Sequence, residues 1–270
     1  MMVQEGNTKL YIGIAPVTVL AVNPGKDYLN ILFNTSLEKE PEYLSKREIN
    51  GELVPCVRID FIVKTVPDMA EGVDLVSKVS FFLAQQYCTS KDGRKVKVID
   101  KYGRTAWVTL DEFASHSIPI YKNGPAQIDR DYRGCYPGEE EITSFLKILL
   151  NIPNVAGINS DSPWMPEDVD DYAHCEARLS NIDKFFIGEF EALNEIISFY
   201  PQSRIKVMFG VRTTDEGKKR QTVYNHKFLR ASEEDYTKVA EDLSYCKLRG
   251  LYYNTEYSTD TIHQFVDSSY

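Results

Sequence analysis

Between Lys95 and Leu110 the sequence alternates on both sides of a glycine turn, and the length of that turn decides which side chains can face a core. Asp100-Lys101-Tyr102-Gly103-Arg104 predicts a three-residue loop with Gly103 in the left-handed position, a loop type that ends in a bulge. This register pairs Asp100 with Arg104, Ile99 with Thr105, Val98 with Ala106, and Lys97 with Trp107. One face then carries Val96, Val98, Ala106, Val108 and Leu110, an apolar set. The other carries Lys95, Lys97, Ile99, Thr105, Trp107 and Thr109. A two-residue turn would put valines and the tryptophan on one face, so the pattern favours the longer loop. The expectation is a tryptophan flanked by lysines on a sheet surface turned away from the core. An exposed indole needs a cover: either a helix of the same chain or a nucleobase, whose stacking is worth about 1–3 kcal/mol.

Residues 204–228 predict a second hairpin of the same character, with Asp215-Glu216-Gly217 as its loop. Ile205, Val207, Phe209 and Val211 point to the core in this reading. Arg204, Lys206, Met208 and Arg212 point outward, opposite His226, Tyr224 and Arg220. Arg212 and Arg220 then face each other directly, a mildly unfavourable like-charge pair that a phosphate would relieve.

The charges around these hairpins are segregated. The chain is acidic as a whole, with 31 Lys+Arg against 40 Asp+Glu. Yet residues 91–104 are net +4 and residues 203–230 net +6, while residues 161–195 are net −8 and residues 233–270 net −5. A positive surface on a negative body suits a polyanion such as single-stranded nucleic acid; solvated charge blocks are the plainer explanation.

The rest of the chain reads as an ordinary globular protein of 270 residues, 43% hydrophobic and 26% charged. Residues 10–22 predict a β segment that Pro16 should bulge or force to an edge. A short helix is expected over Asp27–Phe33, and strands over Val54–Val66 and Ser77–Tyr87. Glu139, Glu140 and Glu141 favour a helix start, followed by the apolar stripe Ile142, Phe145, Leu146 and Leu149. Further helices are expected from Glu189 to Tyr200, burying Phe190, Leu193 and Ile197, and from Ser232 onward.

Catalytic patterns are weak. Asp168, Asp170, Asp171 and Glu176 could hold Mg²⁺ for phosphodiester cleavage, but no lysine follows closely to stabilise a developing charge. The four histidines are scattered, and phosphate-binding glycine motifs are missing. Five widely spaced cysteines fit neither a disulfide framework nor a zinc module, so no metal, cofactor or catalytic residue is expected. No apolar run is long enough to span a bilayer, and Met1–Lys9 lacks a signal-peptide core. The expected location is cytoplasmic, in the host cell if the protein is phage-encoded, with no membrane partner.

Across Val98-Ile-Asp-Lys-Tyr-Gly-Arg-Thr-Ala-Trp107, Tyr132-Arg-Gly-Cys-Tyr-Pro-Gly-Glu139 and Phe145-Leu-Lys-Ile-Leu-Leu-Asn-Ile-Pro153, the chain resembles the single-stranded DNA-binding proteins of tailed bacteriophages, crAss-like phages in particular. The resemblance spans most of residues 9–230. It implies an OB-type β-barrel that coats single strands during replication and recombination without catalysis. Two features depart from that pattern: residues 233–270 are acidic but interrupted by Lys238, Lys247, Arg249 and tyrosines, and no His/Cys module is present. The combined expectation is a mainly β, α+β protein. Residues 1–232 form an OB-like domain with an acidic helical insertion at about 137–200, and residues 233–270 add a C-terminal helix and an acidic, Tyr-rich tail. Lys95, Lys97, Arg104, Lys206, Arg212, Lys219 and Arg220 are the candidate phosphate contacts. Trp107, Tyr102 and Tyr224 are the candidate stacking residues. Replication or recombination proteins are candidate partners for the acidic surface. A phage structural or assembly protein using the same hairpins is the alternative, and a metal-dependent nuclease the third.

Overall fold

The computed structural model describes residues 10–68, 74–100, 105–115, 132–149, 182–199, 204–213, 215, 217, 219–230, 251–252 and 264–266. In chain order these form β1 (Leu10–Val22), α1 (Lys26–Phe33), β2 (Leu44–Ile49), β3 (Glu52–Thr65), β4 (Val76–Ala84), β5 (Lys95–Asp100), β6 (Thr105–Thr109), α2 (Leu110–Ser115), β7 (Tyr132–Gly134), α3 (Glu139–Leu149), a 3-10 turn at Phe185–Ile187, α4 (Glu191–Phe199), β8 (Arg204–Thr213), β9 (Lys219–Arg230), β10 (Leu251–Tyr252) and β11 (Gln264–Val266). The architecture is β-rich α+β, with antiparallel strand pairs and few, short helices. The helix expected from Ser232, the acidic loop at 153–172 and the turn residues 101–104 lie outside the described residues.

The chain divides into two compact units. One comprises Met1–Leu20, Phe61–Val79 and Arg204–Tyr270; the other Ala21–Asp60 and Ser80–Ser203. In the first, β8 pairs with β1, β9 and β10, and β11 pairs with the start of β1. The β1–β8 register runs unbroken from Gly13↔Phe209 to Thr18↔Arg204, so Pro16 causes no bulge there. Its carbonyl accepts the Val66 N–H at 3.0 Å. A strand residue directs its N and C=O to the same neighbour, so the missing N–H falls where β3 has already ended. Near the start of β1, the Gln221 side-chain amide acts as a surrogate peptide group. Its Oε1 accepts the Tyr11 N–H at 2.9 Å, and its Nε2 donates to the Tyr11 and Gly210 carbonyls, each at 2.8 Å.

In the second unit, β2 and β3 form a hairpin closed by Asn50-Gly51, with Ile49 opposite Glu52. Both turn residues have positive φ (54° and 85°), as a two-residue type I′ loop requires. Asn23, at φ 45°, ends β1 and fixes the chain to β3. Its side chain accepts the Asp60 N–H at 2.7 Å and donates to the Arg58 carbonyl at 3.0 Å. The apolar stripe of α3 is buried as its spacing predicts, and Phe145 meets Phe81 with ring centroids 5.2 Å apart. Pro137-Gly138 leads into this helix. Gly138 has φ +87°, and a β-carbon there would overlap the Phe82 carbonyl oxygen.

Gly51 and Gly138 separate two costs. Both have positive φ, but nothing lies within 4 Å of a β-carbon at Gly51. Gly51→Ala should therefore lose only the left-handed strain, about 1–2 kcal/mol. Gly138→Ala adds a clash with backbone and should lose roughly 1–3 kcal/mol more. Urea unfolding of the two variants checks this; equal losses would mean that the turn yields without cost.

Candidate nucleic-acid interface

The β5–β6 pairing places Lys95 opposite Thr109, Val96 opposite Val108, Lys97 opposite Trp107, Val98 opposite Ala106 and Ile99 opposite Thr105. This is the register that the alternation predicts. Val96, Val98 and Val108 are buried on one side. On the other, Lys95 is exposed, Trp107 is 40% exposed, and the Lys97 ammonium lies 5.8 Å from the indole centroid. A lysine over an indole face is a favourable cation–π arrangement.

Two details of this face differ from expectation. Leu110 is exposed and begins α2 instead of extending the core face. The cause is a capping box: the Thr109 hydroxyl accepts the Glu112 N–H at 3.2 Å, and the Glu112 carboxylate accepts the Thr109 N–H at 2.8 Å. These bonds also hold the Glu112 carboxyl below its ordinary pKa, the backbone contact from Thr109 contributing most. Ile99, expected on the outer face, is 1% exposed. On that face the first turn of α3 comes close, since Glu140 bonds both Lys97 and the hydroxyl of Thr105, the residue opposite Ile99.

Glu140 is the residue the sequence reading missed here. Its carboxylate forms an ion pair with Lys97. Burial alone would lower the Lys97 pKa, but the hydrogen bond and attraction to Glu140 outweigh it and raise the value. The run Glu139–Glu141 signals a helix start in sequence; that one of its carboxylates reaches a hairpin lysine depends on how β7 brings α3 in. β7, not foreseen as a strand, pairs with β5, placing Arg133 opposite Ile99 and Gly134 opposite Val98. Arg133 donates to both carboxylate oxygens of the fully buried Glu139, and Glu139 also accepts the Tyr136 N–H at 3.0 Å. The Arg133 guanidinium lies 4.8 Å from the Tyr136 ring centroid.

In the other unit, β8–β9 pairs Arg212 with Arg220, Thr213 with Lys219 and Met208 with Tyr224, so the two arginines stand at directly opposed register positions, as expected. For Arg212, Lys219, Arg220 and Tyr224 the backbone register is what the structure describes. Lys206 is half-buried and stands opposite Leu229, not His226. Two residues of β8 there span five of β9, an irregularity between Lys206 and Met208 that shifts the register. Met208, expected to point outward, is buried, as are Ile205, Val207 and Phe209. Tyr102 and Arg104 lie outside the described residues, as do Asp168, Asp170, Asp171 and Glu176. Among the described residues no group of three or more His, Cys, Asp or Glu is placed to hold a metal ion, and no helix is long and apolar enough to cross a membrane.

The two acidic contacts of α3 should behave differently on mutation. Arg133→Met leaves Glu139 charged and buried without its partner, a loss of about 3–5 kcal/mol. Glu140 is half-exposed, so Glu140→Gln should change stability by less than about 1 kcal/mol. Chemical denaturation of both variants measures the contrast, and comparable losses would show that Arg133 is not what neutralises Glu139.

Comparison with known proteins adds no relative: no family model, curated protein or solved structure matches the chain.

Proposed function

We propose that the protein binds single-stranded DNA with little sequence preference, as an OB-like barrel protein of phage replication or recombination that carries out no catalysis. The observation that supports this most is the pairing of an exposed Trp107 with Lys97 on the strand face that also presents Lys95. Stacking platforms flanked by cations are what sequence-tolerant single-strand binding requires. A second basic hairpin, β8–β9, with Arg212 opposite Arg220, gives additional support. So do the β-rich antiparallel architecture and the resemblance to phage single-strand binders. The Lys97–Glu140 pair favours a second reading, in which this face is a protein contact of a phage structural or assembly protein, because a lysine already neutralised attracts phosphate less.

Anisotropy of a labelled oligo-dT, titrated at two salt concentrations, separates the two. Single-strand binding should weaken log-linearly with salt, with a slope of about −0.7 per phosphate neutralised. Trp107→Ala should weaken it by about 1–3 kcal/mol with little change in melting temperature. Val98→Ala should lower stability through lost burial while the folded remainder still binds. No binding even at low salt would leave the assembly reading in place. Lost stability with intact binding in Trp107→Ala would make the indole a structural residue.

A further inference from the structure

Three backbone segments of the second unit meet in a closed triangle. The Cys88 N–H donates to the Cys135 carbonyl at 2.9 Å, the Cys135 N–H to the Lys97 carbonyl at 2.8 Å, and the Lys97 N–H to the Cys88 carbonyl at 2.8 Å. Both cysteines are free thiols. The Cys135 thiol donates to the Tyr136 carbonyl at 3.7 Å. With standard bond lengths, the 2.9 Å contact limits the two cysteines' α-carbons to about 6.8 Å apart, and disulfides span about 4.4–6.8 Å. Cys88 is partly exposed and Cys135 is buried.

We propose that Cys88 and Cys135 form a redox-active thiol pair that closes to an intramolecular disulfide when a small-molecule disulfide oxidises it. Cys88, which solvent can reach, attacks first: its sulfur bonds to one sulfur of R–S–S–R, the S–S bond breaks, and R–S⁻ leaves and takes up the Cys88 proton. The Cys135 sulfur then attacks the Cys88 sulfur of the mixed disulfide and expels the second R–S⁻, which takes up the Cys135 proton. The protein loses two protons and two electrons, and the oxidant is reduced to two R–SH. The order of attack suits the surroundings. The neighbouring Cys135 side chain holds the Cys88 thiol below its ordinary pKa of 9.0, against burial and with help from the Lys97 charge. The nearby Cys88 side chain, together with burial, pushes Cys135 upward. The attacking thiol is therefore the one with more thiolate character. The product would join the segment after β4 to the segment after β7, two stretches now held by a hydrogen bond and by the stacking of Tyr87 on Tyr136.

Native protein incubated with oxidised glutathione, alkylated and mapped by mass spectrometry tests the pair. The expected product is a cross-linked peptide containing Cys88 and Cys135, lost on reduction with dithiothreitol. Cys135→Ser should stop at glutathione on Cys88, and Cys88→Ser should leave Cys135 unmodified until the chain is unfolded. If either variant fails to fold, the wild-type map decides alone. Glutathione retained on wild-type Cys88, a bridge from Cys88 to Cys56, Cys175 or Cys246, or two thiols that stay reduced would each overturn the proposal.

Discussion

A carboxylate without solvent contact must be neutralised where it lies, and much of the second unit is arranged around that requirement at Glu139. Burial pushes its pKa up from 4.5, while the charge and hydrogen bonds of Arg133, with the Tyr136 N–H, act against the shift. Arg133 belongs to β7, which is paired along β5, so the ion pair fixes the start of α3 against the β5–β6–β7 sheet. Two further contacts depend on that placement. Gly138, one residue earlier, passes against the Phe82 carbonyl where no side chain fits. Glu140, one residue later, reaches Lys97 and Thr105 on the hairpin face. The acidic start of α3 therefore serves the fold through Glu139 and the electrostatics of the candidate interface through Glu140.

What could be read from the sequence was what local pattern determines. The β5–β6 register follows from alternation and one glycine, and the buried stripe of α3 from its spacing; both agree with the structure. Two local signals were present but passed over. Asn50-Gly51 is the strongest short hairpin signal known and closes β2–β3. Thr109-x-x-Glu112 is a capping box that turns Leu110 from strand to helix. The remaining differences have no local signal. Ile99 is buried in the assembled sheet, where β7 pairs beside it and Glu140 bonds Thr105, the residue opposite Ile99. Lys206 lost its expected partner because β9 carries three more residues than β8 over the same stretch, and alternation does not count unpaired residues. β7 has only three residues, too few for a period to show.

The same distinction applies to the candidate interface. Lys95, Lys97 and Trp107 were legible because a hairpin's faces are set by its own register. Glu140 was not, because its meeting with Lys97 depends on the Arg133–Glu139 contact across β7. This matters for function, since a basic stretch counted in sequence overstates the charge it offers a phosphate. The side chain of Lys97 is mostly shielded and already shares its proton-donating end with a carboxylate.

That pairing alters how salt dependence should be interpreted. The salt slope of nucleic-acid binding counts counterions released when protein cations take the places of condensed ions on the phosphates. Exposed Lys95 does this directly. If Lys97 turned from Glu140 to a phosphate, the counterion released from the strand would be partly offset by the cation that the abandoned carboxylate draws to itself. On the proposed reading, a hydrogen bond from Lys97 would thus add less salt sensitivity than one from Lys95. A base stacked on Trp107 would add affinity without releasing ions. The slope would then weight Lys95 most, while the less salt-sensitive remainder would weight Lys97 and Trp107. Two parts of one face, one exposed lysine and one lysine held by Glu140 beside the indole, become distinguishable by the ionic strength at which each contributes.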